Sequence, residues 1–144
     1  DLAFSHPLLE SLGLPIKLKK IAVSANETAT AIVGSPSLLT IMNEVCSNPD
    51  GKTSGGMIYG TVRDRTGTPL SSIEVRAEWM EFSQVPRRMI QAYEQVTTQS
   101  NGRYTICFLP LDMPVTLKIN GKGIVPTATE VRIPRGGVLS KDLK

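Results

Sequence analysis

The sequence predicts an all-β sandwich carrying an N-terminal β-hairpin, one short helix and an apolar N-terminal arm. Three observations predict it. Only 5% of the 144 residues are aromatic, 12 Gly and 10 Pro punctuate the chain, and β-branched residues recur in short runs between those turn signals. With 40% hydrophobic residues, the chain can bury one substantial core and is too short for two comfortable domains. The expected layout is an arm at residues 1–16, a hairpin and helix packed on the sandwich at 17–54, and the sandwich itself at 55–144.

The arm, DLAFSHPLLESLGLPI, holds Leu2, Phe4, Leu8, Leu9 and Leu12 as its assembly residues, with Pro7 and Pro15 interrupting any long helix or strand. Apolar area on this scale needs a surface to cover, on its own domain or on a neighbour. From Lys20 to Val33, KIAVSANETATAIV alternates about a polar Asn26-Glu27 centre, which reads as a hairpin. Asn26-Glu27-Thr28 is also an N-glycosylation sequon, making Asn26 a candidate acceptor in a glycosylating cell. Next, Ser35 before Pro36 suits an N-cap followed by Pro at the first helical position, and Leu38, Leu39, Ile41, Met42 and Val45 recur at helical spacing up to Cys46. A polar, Gly-rich loop, SNPDGKTSGG, follows.

From Gly56 the chain reads as strand after strand. GMIYGTVRD places Ile58, Gly60 and Val62 on one face, and IEVRAEW places Ile73, Val75, Ala77 and Trp79 opposite Glu74, Arg76 and Glu78. A loop is expected around SQVPRR, then the strand IQAYEQVTTQ, a Ser100-Asn101-Gly102 turn, and RYTICFL with Tyr104, Ile106 and Phe108 inward. Val115, Leu117 and Ile119 continue the alternation. The same parity turns Cys107 to the opposite face of its sheet, where the helix ending at Cys46 is the available cover. A Cys46–Cys107 disulfide would close a loop of about 60 residues and contribute roughly 4 kcal/mol in the chain-entropy model. Two buried free thiols are the other reading. Neither cysteine has the CxxC or Cys/His spacing of a zinc or redox motif.

GMIYGTVRDRTGTPLSSIEVRAEW resembles the opening of carboxypeptidase regulatory-like domains, through Gly56, Ile58, Gly60, Val62, Asp64, Gly67, Pro69, Leu70 and Val75. TTQSNGRYTICFLP is similar to a later turn and strand of that family, through Thr98, Ser100, Asn101, Gly102, Tyr104 and Pro110. The resemblance covers about residues 55 to 144 and implies an immunoglobulin- or transthyretin-like sandwich with a regulatory or accessory role. The sequence departs from the pattern at Ser72-Ile73, where the family usually has Gly-Ala. A hairpin and short helix ahead of such a domain resembles an arrangement in secreted bacterial proteins.

The formal charge of +3 is spread along the chain, with small clusters at Lys17, Lys19, Lys20 and at Arg87-Arg88. No basic stripe with stacking aromatics offers a nucleic-acid surface. No stretch approaches the roughly 20 apolar residues that span a bilayer. His6 is the single histidine, and no HExxH, GxSxG, GxxxxGK[ST] or calcium-loop pattern occurs, so neither enzyme, cofactor nor metal site is expected. Glu74, Glu78 and Glu81 suggest a glycosidase pair, but alternation puts Glu74 and Glu78 on a charged solvent face beside Arg76, and that reading is preferred. Trp79 shares parity with the core, whereas Tyr59 and Tyr93 fall on the other parity and are candidate glycan contacts. A start at Asp1 without Met fits a signal peptide already removed or a trimmed chain; the secreted or cell-surface reading takes the first. The expected function is a non-catalytic extracellular structural or adhesive subunit that self-associates, even into a fibre, through its arm. The alternative is a glycan- or protein-binding accessory module of a secreted or cell-surface protein.

Overall fold

Two units, Asp1–Val45 and Cys46–Lys144, divide the chain in the computed structural model, which describes residues 2–3, 5–15, 18–32 and 34–144. In the first unit β1 (Leu2–Ala3) pairs antiparallel with β2 (Leu18–Lys19), and the five-residue α1 (Pro7–Ser11) lies between them in sequence. Pro7 takes the first turn of α1, where its missing N–H costs nothing, and His6 Nδ1 caps it by accepting from the Leu8 N–H at 3.1 Å. This second helix is an addition to the single one expected. α2 (Leu38–Val45) forms over the apolar run as predicted, but its cap is Ser37: the Ser37 hydroxyl accepts from the Thr40 N–H at 3.1 Å. Ser35 and Pro36 therefore stand outside the helix. Ile41 and Met42 are its buried residues.

The hairpin expected over 20–33 forms only its turn. Ala25 and Asn26 make it, with Asn26 at φ 66° and the Glu27 N–H donating to the Ser24 carbonyl, but no ladder flanks it among the described residues. On the returning side Ala29 and Ala31 offer little area to bury, and Val23 and Ile32 remain 59% and 87% exposed. A two-stranded pair that buries so little is marginal in water.

The second unit is a sandwich of two sheets. One has the order β6-β3-β9, with β3 (Gly56–Thr61) antiparallel to β6 (Arg103–Leu109) and parallel to β9 (Val138–Ser140). The other has the order β5-β4-β7-β8, from β4 (Glu74–Gln84), β5 (Arg87–Thr97), β7 (Pro114–Asn120) and β8 (Thr127–Arg132), all antiparallel. Between them lies the core of Ile58, Val62, Ile73, Val75, Ala77, Ile106, Leu109, Val115, Leu117, Ile119 and Ile133. Alternation placed most of these inward, and Trp79 packs half-buried at the core's margin.

Two local departures have physical causes. In β6 the pairing shifts between Gly56↔Leu109 and Ile58↔Ile106, so two residues of β6 oppose one of β3, and Phe108 takes φ 59°. This bulge restarts the alternation: Leu109 enters the core, and Phe108, expected inward, is only half-buried. The second departure is Ser72, whose φ of 58° is the left-handed conformation that glycine adopts freely. Ile73 then fills the core with its Cδ1 against Gly121, where a Cβ would sit 2.5 Å away.

Candidate functional site

β4 and β5 extend far beyond their neighbours. They pair over eleven residues each, from Glu74↔Thr97 to Gln84↔Arg87, and close through a two-residue Val85-Pro86 turn containing a cis peptide. β7 covers β4 only from Glu74 to Glu78. SQVPRR, read as a loop, is thus the tip of an overhanging ribbon. On its outer face Met80, Phe82, Met89 and Tyr93 are 47%, 60%, 53% and 53% exposed, with Phe82 opposite Met89 and Val85 90% exposed at the tip. Four large apolar groups on one face of a two-stranded ribbon form the kind of patch that marks a protein contact.

A polar cluster borders the patch where the ribbon joins the sheet. Glu78, opposite Tyr93 on β5 and Thr116 on β7, is only 8% exposed. One carboxylate oxygen accepts from Lys118 Nζ at 2.5 Å and Gln91 Nε2 at 2.8 Å, while the other lies 2.9 Å from Arg76 Nε, an ion pair without hydrogen-bond alignment. The Lys118 hydrogen bond, helped by Arg76 and Gln91, holds the carboxyl below the usual glutamate range despite burial. Arg76 in turn stacks over the Tyr93 ring, 3.8 Å from its centroid. The sequence placed Glu78 on this outer face but not its burial, because the covering side chains belong to neighbouring strands.

A cleft of about 680 Å³ opens elsewhere on this unit, lined by Arg63, Asp64, Arg65, Thr66, Ile124 and Lys144 among others. Asp64 is spent on its own turn: Oδ1 accepts from the Thr66 hydroxyl and from the Thr66 and Thr68 N–H groups, which keeps its carboxyl below the ordinary aspartate range. Tyr104, buried among apolar side chains, has its ionisation pushed well above the usual tyrosine range and donates to the Lys141 carbonyl at 2.6 Å. In the first unit a smaller cavity of about 280 Å³ is lined by His6, Leu8, Leu9, Ser35, Pro36 and Ile41. Among the described residues no three His, Cys, Asp or Glu side chains converge.

The remaining predicted residues are placed as follows. Cys46 and Cys107 are bridged, their Cα atoms 6.3 Å apart, with Cys107 facing away from the core as parity required. Tyr59 lies half-buried on β3 and Tyr93 exposed on β5, so the two belong to different sheets and make no common platform. Asn26 is exposed at its turn. Of the arm, Leu2 is 45% exposed, Leu8, Leu9 and Leu12 are half-buried, and Phe4 lies outside the described residues. No helix among the described residues is long and apolar enough to cross a membrane.

The profile of the carboxypeptidase regulatory-like domain family matches residues 57–144. The chain belongs to this family. The matched span contains both sheets of the sandwich, from Met57 in β3 to the end of the chain. Among solved structures, this carboxypeptidase regulatory-like domain is similar to the chlorocatechol 1,2-dioxygenase from Pseudomonas putida at 16% identity and TM-score 0.47, over 60% of this chain and 57% of that one. It is also similar to the dioxygenase domain of a dioxygenase carbohydrate-binding protein fusion from the cellulolytic bacterium Streptomyces sp. SirexAA-E, at 17% identity and TM-score 0.43, over 58% of this chain and 60% of that one. A third likeness is catechol 1,2-dioxygenase from Pseudomonas arvilla C-1, at 16% identity and TM-score 0.43, over 63% of this chain and 44% of that one. The chain thus spans less than two thirds of each of those structures. No curated protein sequence matches it.

Proposed function

We propose that this domain is a non-catalytic structural or adhesive module that works outside the cell by protein contact, with copies of itself among its partners. The observation that carries the reading is the overhanging β4–β5 ribbon with Met80, Phe82, Met89 and Tyr93 exposed on one face. Beyond Trp79, which still packs against the core, the outer face of this ribbon covers nothing in its own domain, and its exposed apolar area is stabilised by a partner. The disulfide supports the extracellular setting, since such bonds persist in oxidising compartments. The N-terminal segment, with Leu2 exposed, supplies a second contact, and two different contacts per copy are what a fibre requires. A glycan-binding role has less support, because Arg76 already covers the Tyr93 ring that a sugar would stack on.

Sedimentation across a concentration series tests this with the intact protein, a version lacking residues 1–16, and the pair Phe82→Asp with Met89→Asp. The intact chain is expected to associate, the paired substitution to weaken association about tenfold or more with the melting temperature unchanged, and removal of the arm to abolish species larger than the dimer. A chain that stays monomeric at every concentration would end the self-association reading.

A further inference from the structure

We propose that β5 is a homodimerisation edge, and that two copies join their four-stranded sheets by antiparallel β5–β5 pairing about a two-fold axis at Gln91. This rests on the protein-contact reading above and names both the partner and the register. β5 is the outer strand of its sheet, and Arg87, Arg88, Met89, Gln91, Tyr93 and Gln95 along it are all exposed. It runs eleven residues without proline or a break in register. Sheet edges of this length are normally blunted by bulges or proline, because unpaired N–H and C=O groups recruit another strand, and the two charges of β5 on its inward parity, Arg88 and Glu94, are of opposite sign. The Thr98 N–H donates to the Ile73 carbonyl at 2.8 Å. Carried through the unbroken register, the antiparallel alternation turns the amides of Met89, Gln91 and Tyr93 away from β4, toward the free edge.

The side chains select a second copy and one register. Arg88 and Glu94 lie three residues either side of Gln91, at the same parity and so on the same face of the strand. Antiparallel pairing centred on Gln91 places Arg88 of each copy directly opposite Glu94 of the other, two ion pairs from one symmetry operation. Shifting the centre to Ile90 or Ala92 loses both. Glu94 Oε1 already takes Lys52 Nζ at 2.5 Å, leaving Oε2 for the arginine. On the other face the same register sets Met89 against Tyr93 and extends the Phe82–Met89 row across the junction. Cross-strand pairs of opposite charge and of aromatic with aliphatic groups are the units of sheet stabilisation. An isologous contact of this kind closes at two copies.

Charge reversal tests the register on the whole chain. Arg88→Glu alone and Glu94→Arg alone each put like charges opposite one another twice per dimer, and each is expected to weaken dimerisation about tenfold or more in sedimentation equilibrium. The double reversal restores opposite pairing and is expected to bring the dimer back to within about threefold of the parent. Gln91→Cys provides a second reading, because residues opposite one another across an antiparallel pair lie within disulfide reach. Mild oxidation should cross-link Gln91→Cys to its own copy and leave Tyr93→Cys uncross-linked. Association that is lost in the Phe82→Asp, Met89→Asp pair but indifferent to the charge reversals, with no Gln91→Cys cross-link, would overturn this register and leave the ribbon contact standing. A chain monomeric throughout would overturn both.

Discussion

Gly60 marks where the C-terminal segment crosses β3. A Cβ at this position would fall on the Lys141 carbonyl oxygen, the same oxygen that accepts from the Tyr104 hydroxyl. The Lys141 N–H also donates to the Tyr59 carbonyl, so backbone rather than a flexible side chain would have to yield. Gly60→Ala is therefore expected to destabilise the domain by about 2 kcal/mol or more, read as a lowered urea midpoint with an unchanged slope. Glu78 makes a prediction of opposite kind. Its carboxyl titrates lower in the folded protein than in the unfolded chain, chiefly through Lys118. Stability from this group is thus fully present above the unfolded glutamate value near about pH 4.3 and lost as pH falls through the folded value. Glu78→Gln should lower stability at neutral pH and flatten its decline in acid, measured as urea midpoints from about pH 7 to about pH 3. A parallel acid limb in the variant would mean that Glu78 is not the group responsible. Both residues also show what alternation can and cannot convey: it assigned each to its face, but the groups they meet come from other strands and require the register.

At the scale of elements, period-two alternation made β7 legible in full, since Val115, Leu117 and Ile119 are all in the core. It made β6 legible only as far as Ile106. Tyr104, Ile106 and Phe108 continue the pattern without a break, and Leu109 is as apolar as Phe108, so nothing in the residues alone announces that the bulge transfers the inward role by one position. The β4–β5 tip was hidden for a related reason. Pro86 between two exposed strands and the neighbouring Arg87-Arg88 read as loop chemistry, whereas a two-residue turn keeps Ser83 and Gln84 paired with Arg88 and Arg87. The N-terminal hairpin shows the converse error, in which the period was present but Ala29 and Ala31 on the returning side supplied too little area to hold a ladder. The family motif, by contrast, was legible through its turn residues, and the departure at Ser72 lies where the backbone takes the conformation glycine prefers.

For the molecule as a whole, the sandwich contains its own covalent staple. Cys46 and Cys107 are 61 residues apart in sequence, and replacing both with serine is expected to lower stability by roughly 4 kcal/mol, visible as a reduced thermal midpoint. The site was less legible than the fold at this scale. The ribbon's exposed face is a fact of where β7 stops, and chain length before the turn is all that the sequence offers to find it. The same bridge has a mechanical consequence for the proposed role of holding neighbours together. Tension entering the chain before Cys46 and leaving after Cys107 passes directly from sulfur to sulfur, so β3, β4, β5 and most of β6 lie off the load path. Within the bridged domain only the segment beyond Cys107 can be drawn out, and the domain forgoes roughly 200 Å of extension that its reduced form would release. An adhesive contact borne on β5 would then sit on the part of the domain that pulling does not unravel.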